Sequence, residues 1–207
     1  MNRALFEKPN PYIQGRQNGS HWVWDRLDPA SLYIPSVNTM GHSEALLDIA
    51  RAWMGENAQF FKDKLILKPP GTPGYGAHQD ATYWHGLAVD PNQFVTILVP
   101  LQQMSRNNGG LYFADQKLDR LLDETQLVQR FGQDEPEVTR FNKTYMDLQV
   151  GDILVFDGLA VHGSDWNRSK IARPSLFFSF APARVGPLRE TYYQNFHRQI
   201  QAERLQI

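Results

Sequence analysis

Residues 64–80 read KLILKPPGTPGYGAHQD, and this stretch decides the fold. The segment KLILK at 64–68 is short and apolar and ends at a turn, which is typical of a β-strand. The PPGTPG loop that follows, residues 69–74, consists almost entirely of turn-forming residues, and the chain then leads into His78-Gln79-Asp80. This succession of strand, Pro/Gly-rich loop and further extended chain favours a protein built from many short strands.

Other short strands surround this stretch. Asn107-Asn108-Gly109-Gly110 is a strong turn signal and separates two of them. The predicted strands, besides 64–68, are residues 94–101 (FVTILVPL), 111–114, 152–156 and 176–180.

Apolar residues at helical spacing predict two helices. The first covers residues 43–54, between a Ser43 N-cap and a stop at Gly55, and the second covers 115–131 behind an Asp115 cap. Residues 1–40 are rich in Asn, Pro, Gly and Trp and predict ordered but irregular structure. Many short strands with helices concentrated toward the front predict a mainly β antiparallel barrel or sandwich with helical decoration.

Composition excludes several classes of function. The 207 residues carry 21 Lys+Arg against 22 Asp+Glu, so no basic excess marks a nucleic-acid or anionic-membrane binder. Cysteine is absent, which excludes disulfides and thiolate chemistry. No apolar run long enough to span a bilayer and no signal peptide is evident. We expect a soluble, cytoplasmic, single-domain protein, a monomer or a homodimer, with a small-molecule partner.

Three side chains suggest a metal site. In an extended strand, residues i and i+2 face the same side, so His78 and Asp80 would present an imidazole and a carboxylate to one point. His162 follows the strand-like GDILVF segment in a glycine-flanked turn and is a candidate third ligand. Two histidines and one carboxylate form the ligand set of non-haem iron(II) oxygenases. The alternative is a surface histidine beside a solvated aspartate.

Arg173 adds a second feature to this pattern. It lies eleven residues after His162, where the following strand can direct it into the barrel. The planar guanidinium can hold a carboxylate through two hydrogen bonds. The alternative is an exposed strand arginine.

Together, residues 68–80, 105–111 (SRNNGGL) and 151–169 (GDILVFDGLAVHGSDWNRS), followed by Arg173, resemble the phytanoyl-CoA dioxygenase family of Fe(II)/2-oxoglutarate-dependent oxygenases. The resemblance covers residues 64–181 and implies a double-stranded β-helix, also called a jelly roll and cupin-like. We therefore expect one oxygenase domain over 1–207, with irregular and helical support at 1–60, the jelly-roll core at 61–185 and a C-terminal segment at 186–207.

The resemblance also implies roles for individual residues. Iron(II), 2-oxoglutarate and O2 would be the cofactor and cosubstrates. His78, Asp80 and His162 would bind iron, and Arg173 would bind the far carboxylate of 2-oxoglutarate. The remaining positions are Ser164 and Gln79, expected to contact the cosubstrate or support the site, and Asn167, expected to be structural.

Substrate contacts are predicted more loosely. Five residues flank the proposed ligands and could line a pocket, with core or lid packing as the alternative: Tyr75, Tyr83, Trp84, His85 and Trp166. Lys68 could meet an anionic group, or could be a solvated lysine at a strand end.

The function implied is oxidation, most simply hydroxylation, of an unactivated C–H bond with release of succinate and CO2. A retained carboxylate at Asp80 favours this over halogenation, because related halogenases lack that carboxylate. The alternatives are a natural-product tailoring oxygenase that desaturates or cyclises, and a non-catalytic jelly-roll binding protein. A zinc hydrolase is disfavoured because no HExxH motif is present.

Overall fold

The computed structural model describes residues 13–18, 21–84, 87, 89–122 and 141–204. Within these residues the chain forms ten β-strands and three α-helices, with short 3₁₀ turns between them. The strands are β1 Ile13–Asn18, β2 His21–Leu27, β3 Ala58–Ile66, β4 Tyr75–His78, β5 Val95–Pro100, β6 Leu111–Ala114, β7 Lys143–Tyr145, β8 Leu154–Asp157, β9 His162–Ser164 and β10 Ser175–Pro182. The helices are α1 Pro35–Gly41, α2 Glu44–Met54 and α3 Leu188–Arg204.

The strands form two antiparallel sheets. The larger sheet has the order β1-β2-β3-β10-β5-β8, and the smaller has the order β4-β9-β6-β7. Side chains from both sheets share one apolar cluster, in which Leu98 and Phe177 of the larger sheet meet Leu111 and Phe113 of the smaller. The two sheets therefore pack face to face. This arrangement confirms the predicted double-stranded β-helix.

Strand β10 lies at the centre of the larger sheet. It pairs with β3 on one side and with β5 on the other, and all eight of its residues are buried. Because alternate residues of a strand face opposite sides, Phe177 points into the space between the sheets while Phe178 points to the outer face. The central strand is thus buried on both faces, which explains its nearly continuous apolar sequence.

Helices cover the outer face of the larger sheet. Helix α2 starts at the predicted N-cap, where the amide of Leu46 donates to Ser43 Oγ, and ends at Gly55 with a left-handed φ of 70°. Leu46 and Ala50 of this helix pack against the outer-face cluster that includes Phe178. Helix α3 packs Leu188 and Tyr192 into a separate cluster with Phe61, Trp84 and Phe94. No helix in the described segments is both long enough and apolar enough to cross a membrane.

Two predictions of local structure were wrong. The segment predicted to be irregular contains β1, β2 and α1, and β1 pairs with β2 in a hairpin flanking an Asn18-Gly19 turn signal. The helix predicted from residue 115 does not form over 115–122, and the rest of that prediction lies outside the described residues. Asp115 does not cap a helix. Its amide donates to the Asn142 carbonyl, and its carboxylate accepts from the Asn142 side-chain amide.

The predicted strands exist with shifted bounds. The strand expected at 64–68 is the end of the longer β3, and the strand expected at 152–156 begins two residues later as β8. The one expected at 176–180 is longer at both ends as β10. Strand β6 has the predicted bounds.

Candidate metal centre

His78 and Asp80 come together at the end of β4. His78 is the last residue of that strand, whereas Asp80 begins a 3₁₀ turn, so the expectation that both lie on one extended strand was wrong. The chain bends there because the amide of Ala81 donates to the carbonyl of Gly158, and the amide of Trp84 donates to the carbonyl of Ala81. The two side chains still converge, with His78 Nε2 lying 3.7 Å from Asp80 Oδ1.

His162 reaches the same point from the neighbouring strand. It begins β9 and stands directly opposite His78 in the β4–β9 pairing, with the two imidazole centroids 4.3 Å apart. Gly163 makes this close approach possible, because a Cβ there would lie 2.4 Å from the Tyr112 hydroxyl and 2.9 Å from the Tyr75 carbonyl. One ligand atom from each of His78, Asp80 and His162 lies within 4.8 Å of the others.

Backbone carbonyls fix the orientation of both imidazoles. His78 Nδ1 donates to the Gly76 carbonyl at 2.9 Å, and His162 Nδ1 donates to the Ala160 carbonyl at 2.9 Å. A carbonyl can only accept, so the proton of each neutral ring resides on Nδ1 and the lone pair on Nε2. Hydrogen bonds of this kind orient histidine ligands in metal sites.

Burial keeps His162 neutral. It lowers the pKa of His162 to about 3, and the adjacent His78 lowers the pKa in the same direction. A metal ion needs the neutral imidazole as a ligand. At neutral pH, His162 is therefore ready to accept a metal ion at Nε2.

Asp80 is held as a buried carboxylate. Burial by itself raises the pKa of Asp80, but Lys64 and the two histidines outweigh it, so the pKa lies well below its usual range. Thr96 donates to Asp80 Oδ2 at 3.3 Å and contacts the Ser179 hydroxyl at 3.2 Å. Lys64 Nζ lies 3.6 Å from Asp80 Oδ1.

The donor set fits a divalent iron ion. Two imidazole nitrogens and one carboxylate oxygen on one side leave the opposite coordination positions open, as in the facial triad of non-haem iron(II) oxygenases. No thiolate is present anywhere in the chain to favour a softer metal site. The residues present are thus suited in number, type and protonation to an iron(II) site.

Arg173 forms the second functional feature of the interior. Its side chain is only 1% exposed, although it precedes β10 instead of lying within it. It donates from Nη1 to Ser175 Oγ at 2.7 Å and from Nη2 to the Gly109 carbonyl at 2.8 Å. Its Nε has no hydrogen-bond partner in the described part of the chain. Burial lowers the pKa of Arg173 to about 10, so it is charged at neutral pH.

Lys68 lies beside this arginine. Of the two interpretations offered for Lys68, the solvated strand-end lysine was wrong, since Lys68 is 0% exposed. Its Nζ donates to the Pro73 carbonyl at 2.8 Å and to Ser164 Oγ at 3.2 Å. A Cβ on Gly109 would lie 2.5 Å from Lys68 Cε, so the Asn-Gly turn also makes room for this lysine. The interior thus contains a second buried cation next to Ser164.

The remaining polar residues hold the surrounding loops together. The Gln79 amide donates to the Arg120 and Leu159 carbonyls, and its oxygen accepts from the Leu122 amide at 2.7 Å. These bonds occupy backbone groups of the segment that was predicted to be helical. Asn167 donates to the Lys68 and Ile171 carbonyls, which is the structural role expected of it.

The aromatic candidates for substrate contact are scattered. Tyr83 is 63% exposed and its ring lies 5.9 Å from that of His78. Tyr75 donates its hydroxyl to Asp25. Trp84 is buried in the core between Phe61 and Phe94, Trp166 is 53% exposed, and His85 lies outside the described residues.

Sequence reasoning did not single out Lys64 or Thr96. Lys64 lies on the inner face of β3, two residues after Lys62. The sequence did contain a signal for Lys64: two lysines stand at alternate positions of an otherwise largely apolar strand. A lysine in such a strand needs a partner for its charge. Thr96 carried no comparable signal within the apolar β5 segment.

Comparison with known proteins identifies relatives of the chain. Residues 18–175 match the model of the family described as phytanoyl-CoA dioxygenase (PhyH). The methylphosphonate hydroxylase of Gimesia maris is 31% identical over 154 residues, covering 73% of this chain and 56% of the relative. The 2-aminoethylphosphonate dioxygenase of an uncultured bacterium is 26% identical and covers 79% of this chain and 62% of its own length. The chain thus spans less than two thirds of these relatives.

A solved structure has the same fold. The epimerase SnoN, crystallised with Fe3+, alpha-ketoglutarate and nogalamycin RO, matches with a TM-score of 0.66 at 17% identity. The match covers 87% of this chain and 70% of SnoN. At this level of identity the likeness concerns the fold, and it agrees with the double-stranded β-helix described above.

Proposed function

The chain belongs to the phytanoyl-CoA dioxygenase family, and from this premise we propose that it is an Fe(II)/2-oxoglutarate-dependent dioxygenase that hydroxylates an unactivated C–H bond of a small molecule. One observation carries the proposal. His78, Asp80 and His162 offer two imidazole nitrogens and a carboxylate within 4.8 Å of one another. Both imidazoles are oriented by carbonyls that bond to Nδ1, which leaves Nε2 for a metal.

The metal would be held by these three residues. The Gly76 and Ala160 carbonyls orient the imidazoles, and Thr96 orients the carboxylate of Asp80. This support lies on strand ends and tight turns, which restrict the rotamers of the ligands. When bound, iron and 2-oxoglutarate supply the activation of O2 that oxidises a C–H bond and yields succinate and CO2.

Arg173 would bind the far carboxylate of 2-oxoglutarate. Among the described residues its partners are a hydroxyl and a carbonyl, and its Nε has none, so its charge lacks an ion-pair partner. Lys68 Nζ donates a hydrogen bond to Ser164 Oγ, and Ser164 is two residues after His162. A dianionic cosubstrate that reaches from the metal to this pair of cations would neutralise both the iron charge and the guanidinium.

The oxygenase class includes more than one outcome. The retained carboxylate of Asp80 fills the position that related halogenases leave open, which supports hydroxylation over halogenation. SnoN is an epimerase on the same fold, so desaturation, cyclisation and epimerisation stay within the range of products to be examined. The two relatives are named for phosphonates, and we propose small organophosphorus compounds as the first substrate class to test.

The proposal is tested by an anaerobic titration of the metal-free protein with iron(II) and then with 2-oxoglutarate, followed by visible absorption. We expect a weak metal-to-ligand charge-transfer band when 2-oxoglutarate chelates the iron. We also expect succinate to form when O2 and methylphosphonate are admitted. The matched control is the same titration of Asp80→Ala, which should give neither signal.

The outcomes of the titration distinguish the alternatives. Iron binding without the band would retain the metal site and reject the cosubstrate. A protein that binds no iron at all would favour the non-catalytic jelly-roll interpretation. A band that shifts when a candidate substrate is added would identify the compounds that enter the site.

A further inference from the structure

Lys64 is a partly buried cation at the metal centre that offers no ligand atom to the metal. It lies on the inner face of β3, with Nζ 4.8 Å from the centroid of the Phe177 ring. Its side chain is 13% exposed, and its only ion-pair partner in the described segments is Asp80 Oδ1 at 3.6 Å. An ammonium beside a divalent cation site is electrostatically unfavourable unless an anion lies close to both.

The ammonium of Lys64 retains unused hydrogen-bonding capacity. Its three N–H groups make no hydrogen bond within the described part of the chain, because the Asp80 contact is longer than a hydrogen bond. The carboxylate of Asp80 would in addition share its charge with a bound metal ion, which weakens its hold on Lys64. A partly buried ammonium in this position is stabilised by a further acceptor.

The interior between the two sheets carries an excess of positive charge. Five cations lie there against three carboxylates: Arg26, Lys62, Lys64, Lys68 and Arg173 against Asp25, Asp28 and Asp80. Asp28 is already bonded to both Arg26 and Lys62, so it is not available to Lys64. A divalent metal ion adds to this excess. The interior therefore attracts an anion in addition to any ligand bound at Arg173.

We propose that Lys64 binds the oxyanion group, a phosphonate or a carboxylate, of the primary substrate and so selects for small anionic substrates. This inference rests on the proposed oxygenase function. The far carboxylate of the cosubstrate is matched by Arg173 and Lys68, which leaves Lys64 for the substrate. An oxyanion bound at Lys64 lies close to the metal, which places the adjacent carbon of a short molecule next to the site of oxidation.

The test compares wild type with Lys64→Met, which keeps the length of the side chain and removes its charge. The anaerobic iron(II)–2-oxoglutarate complex is titrated with methylphosphonate and with acetate, and the shift of the visible band is followed. We expect the dissociation constant of the bound anion to rise roughly 30-fold or more in Lys64→Met. We expect Lys64→Arg to restore much of the binding, and exposed Lys170→Met to behave like wild type.

A second measurement does not depend on iron. Broadening of the 31P resonance of methylphosphonate by the metal-free protein reports anion binding directly, and it should be lost in Lys64→Met. If the visible band is absent from wild type while this broadening depends on Lys64, the oxygenase assignment fails and the anion site stands. Preference for methylphosphonate over acetate, or the reverse, identifies the oxyanion.

Three results would overturn the proposal. The first is a wild-type protein that binds neither anion at millimolar concentration. The second is binding that is unchanged in Lys64→Met. The third is a Lys64→Met protein that loses affinity for iron or 2-oxoglutarate to the same extent as for the anion, since Lys64 would then act as a counter-ion of Asp80.

Discussion

Two groups of charged side chains lie inside the protein, and they differ in whether the cations have a carboxylate within ion-pair distance. The ion cluster, formed by Arg26, Asp28 and Lys62, is complete around its carboxylate. Lys62 Nζ donates to Asp28 Oδ2 at 2.6 Å, Arg26 donates to the same oxygen, and Tyr193 donates to Oδ1 at 3.1 Å. Arg173, by contrast, donates within the described part of the chain only to neutral oxygens, those of Ser175 and Gly109.

This difference separates a structural charge from a charge that awaits a ligand. Removing an ion from water costs several kcal/mol, on the order of the stability of a whole domain, unless a partner offsets it. The ion cluster contains that partner within the fold. Arg173 has no carboxylate within ion-pair distance among the described residues, so we expect a bound anion to supply its partner. Mutations in the two groups should therefore change different measurable quantities.

The largest expected effect is the loss of activity on replacing Asp80. Asp80→Ala removes the only carboxylate of the proposed ligand set, so iron binding and succinate formation should both disappear. We expect turnover to fall by about 1000-fold or more, measured as succinate released per protein. The variant should remain folded, because Asp80 is not part of the ion cluster. Turnover close to that of wild type would refute the ligand assignment.

The second effect concerns stability alone. Asp28→Asn leaves the buried Lys62 and the partly buried Arg26 without their counter-ion, and breaking a buried pair in this way costs about 3 to 5 kcal/mol. We expect urea unfolding to show a loss of this size, whereas the charge-transfer band of the folded variant should be retained. Arg51, a surface residue paired with Glu44 and Asp48, provides the control: Arg51→Met should change stability far less than Asp28→Asn does. Equal effects in both variants would remove the distinction drawn above.

The sequence singled out the proposed metal ligands and Arg173, but it did not single out the ion cluster. The His78-Gln79-Asp80 triplet, His162 and Arg173 were recognisable because their chemistry ties them to short local motifs. The ion cluster was not, since Asp28 and Lys62 are brought together by the pairing of β2 with β3. The failure of the predicted helix to form over 115–122 has the same cause. Its helical periodicity was real, but Gln79, remote in sequence, bonds to the backbone of Arg120 and Leu122. Long-range contacts of this kind leave no periodic signal.

The third effect should appear in cosubstrate binding. Arg173→Met removes a buried charge that has no ion-pair partner among the described residues, so it should cost little stability in the absence of ligand. It should raise the concentration of 2-oxoglutarate needed for half-maximal succinate formation by roughly 30-fold or more, since a desolvated charge pair is lost. Thermal stabilisation by added 2-oxoglutarate should vanish in parallel. An unchanged requirement would mean that the cosubstrate carboxylate binds elsewhere, with Lys68 as the next candidate.

The smallest effect is a difference in acid sensitivity between wild type and Asp28→Asn. Burial by itself raises the pKa of Asp28, but the charges of Lys62 and Arg26 outweigh it and hold this pKa well below its usual range. A carboxylate whose pKa is depressed on folding stabilises the protein above its unfolded pKa, about 3.9, and this contribution is lost as pH falls toward the folded value. The gap in unfolding free energy between the two proteins should therefore narrow as the pH falls below about 4. Asp80 titrates in both proteins, so its contribution to the unfolding free energy cancels in the difference between them. Urea unfolding at several pH values measures the gap, and a gap independent of pH would show that Asp28 is not the ionised centre of the cluster.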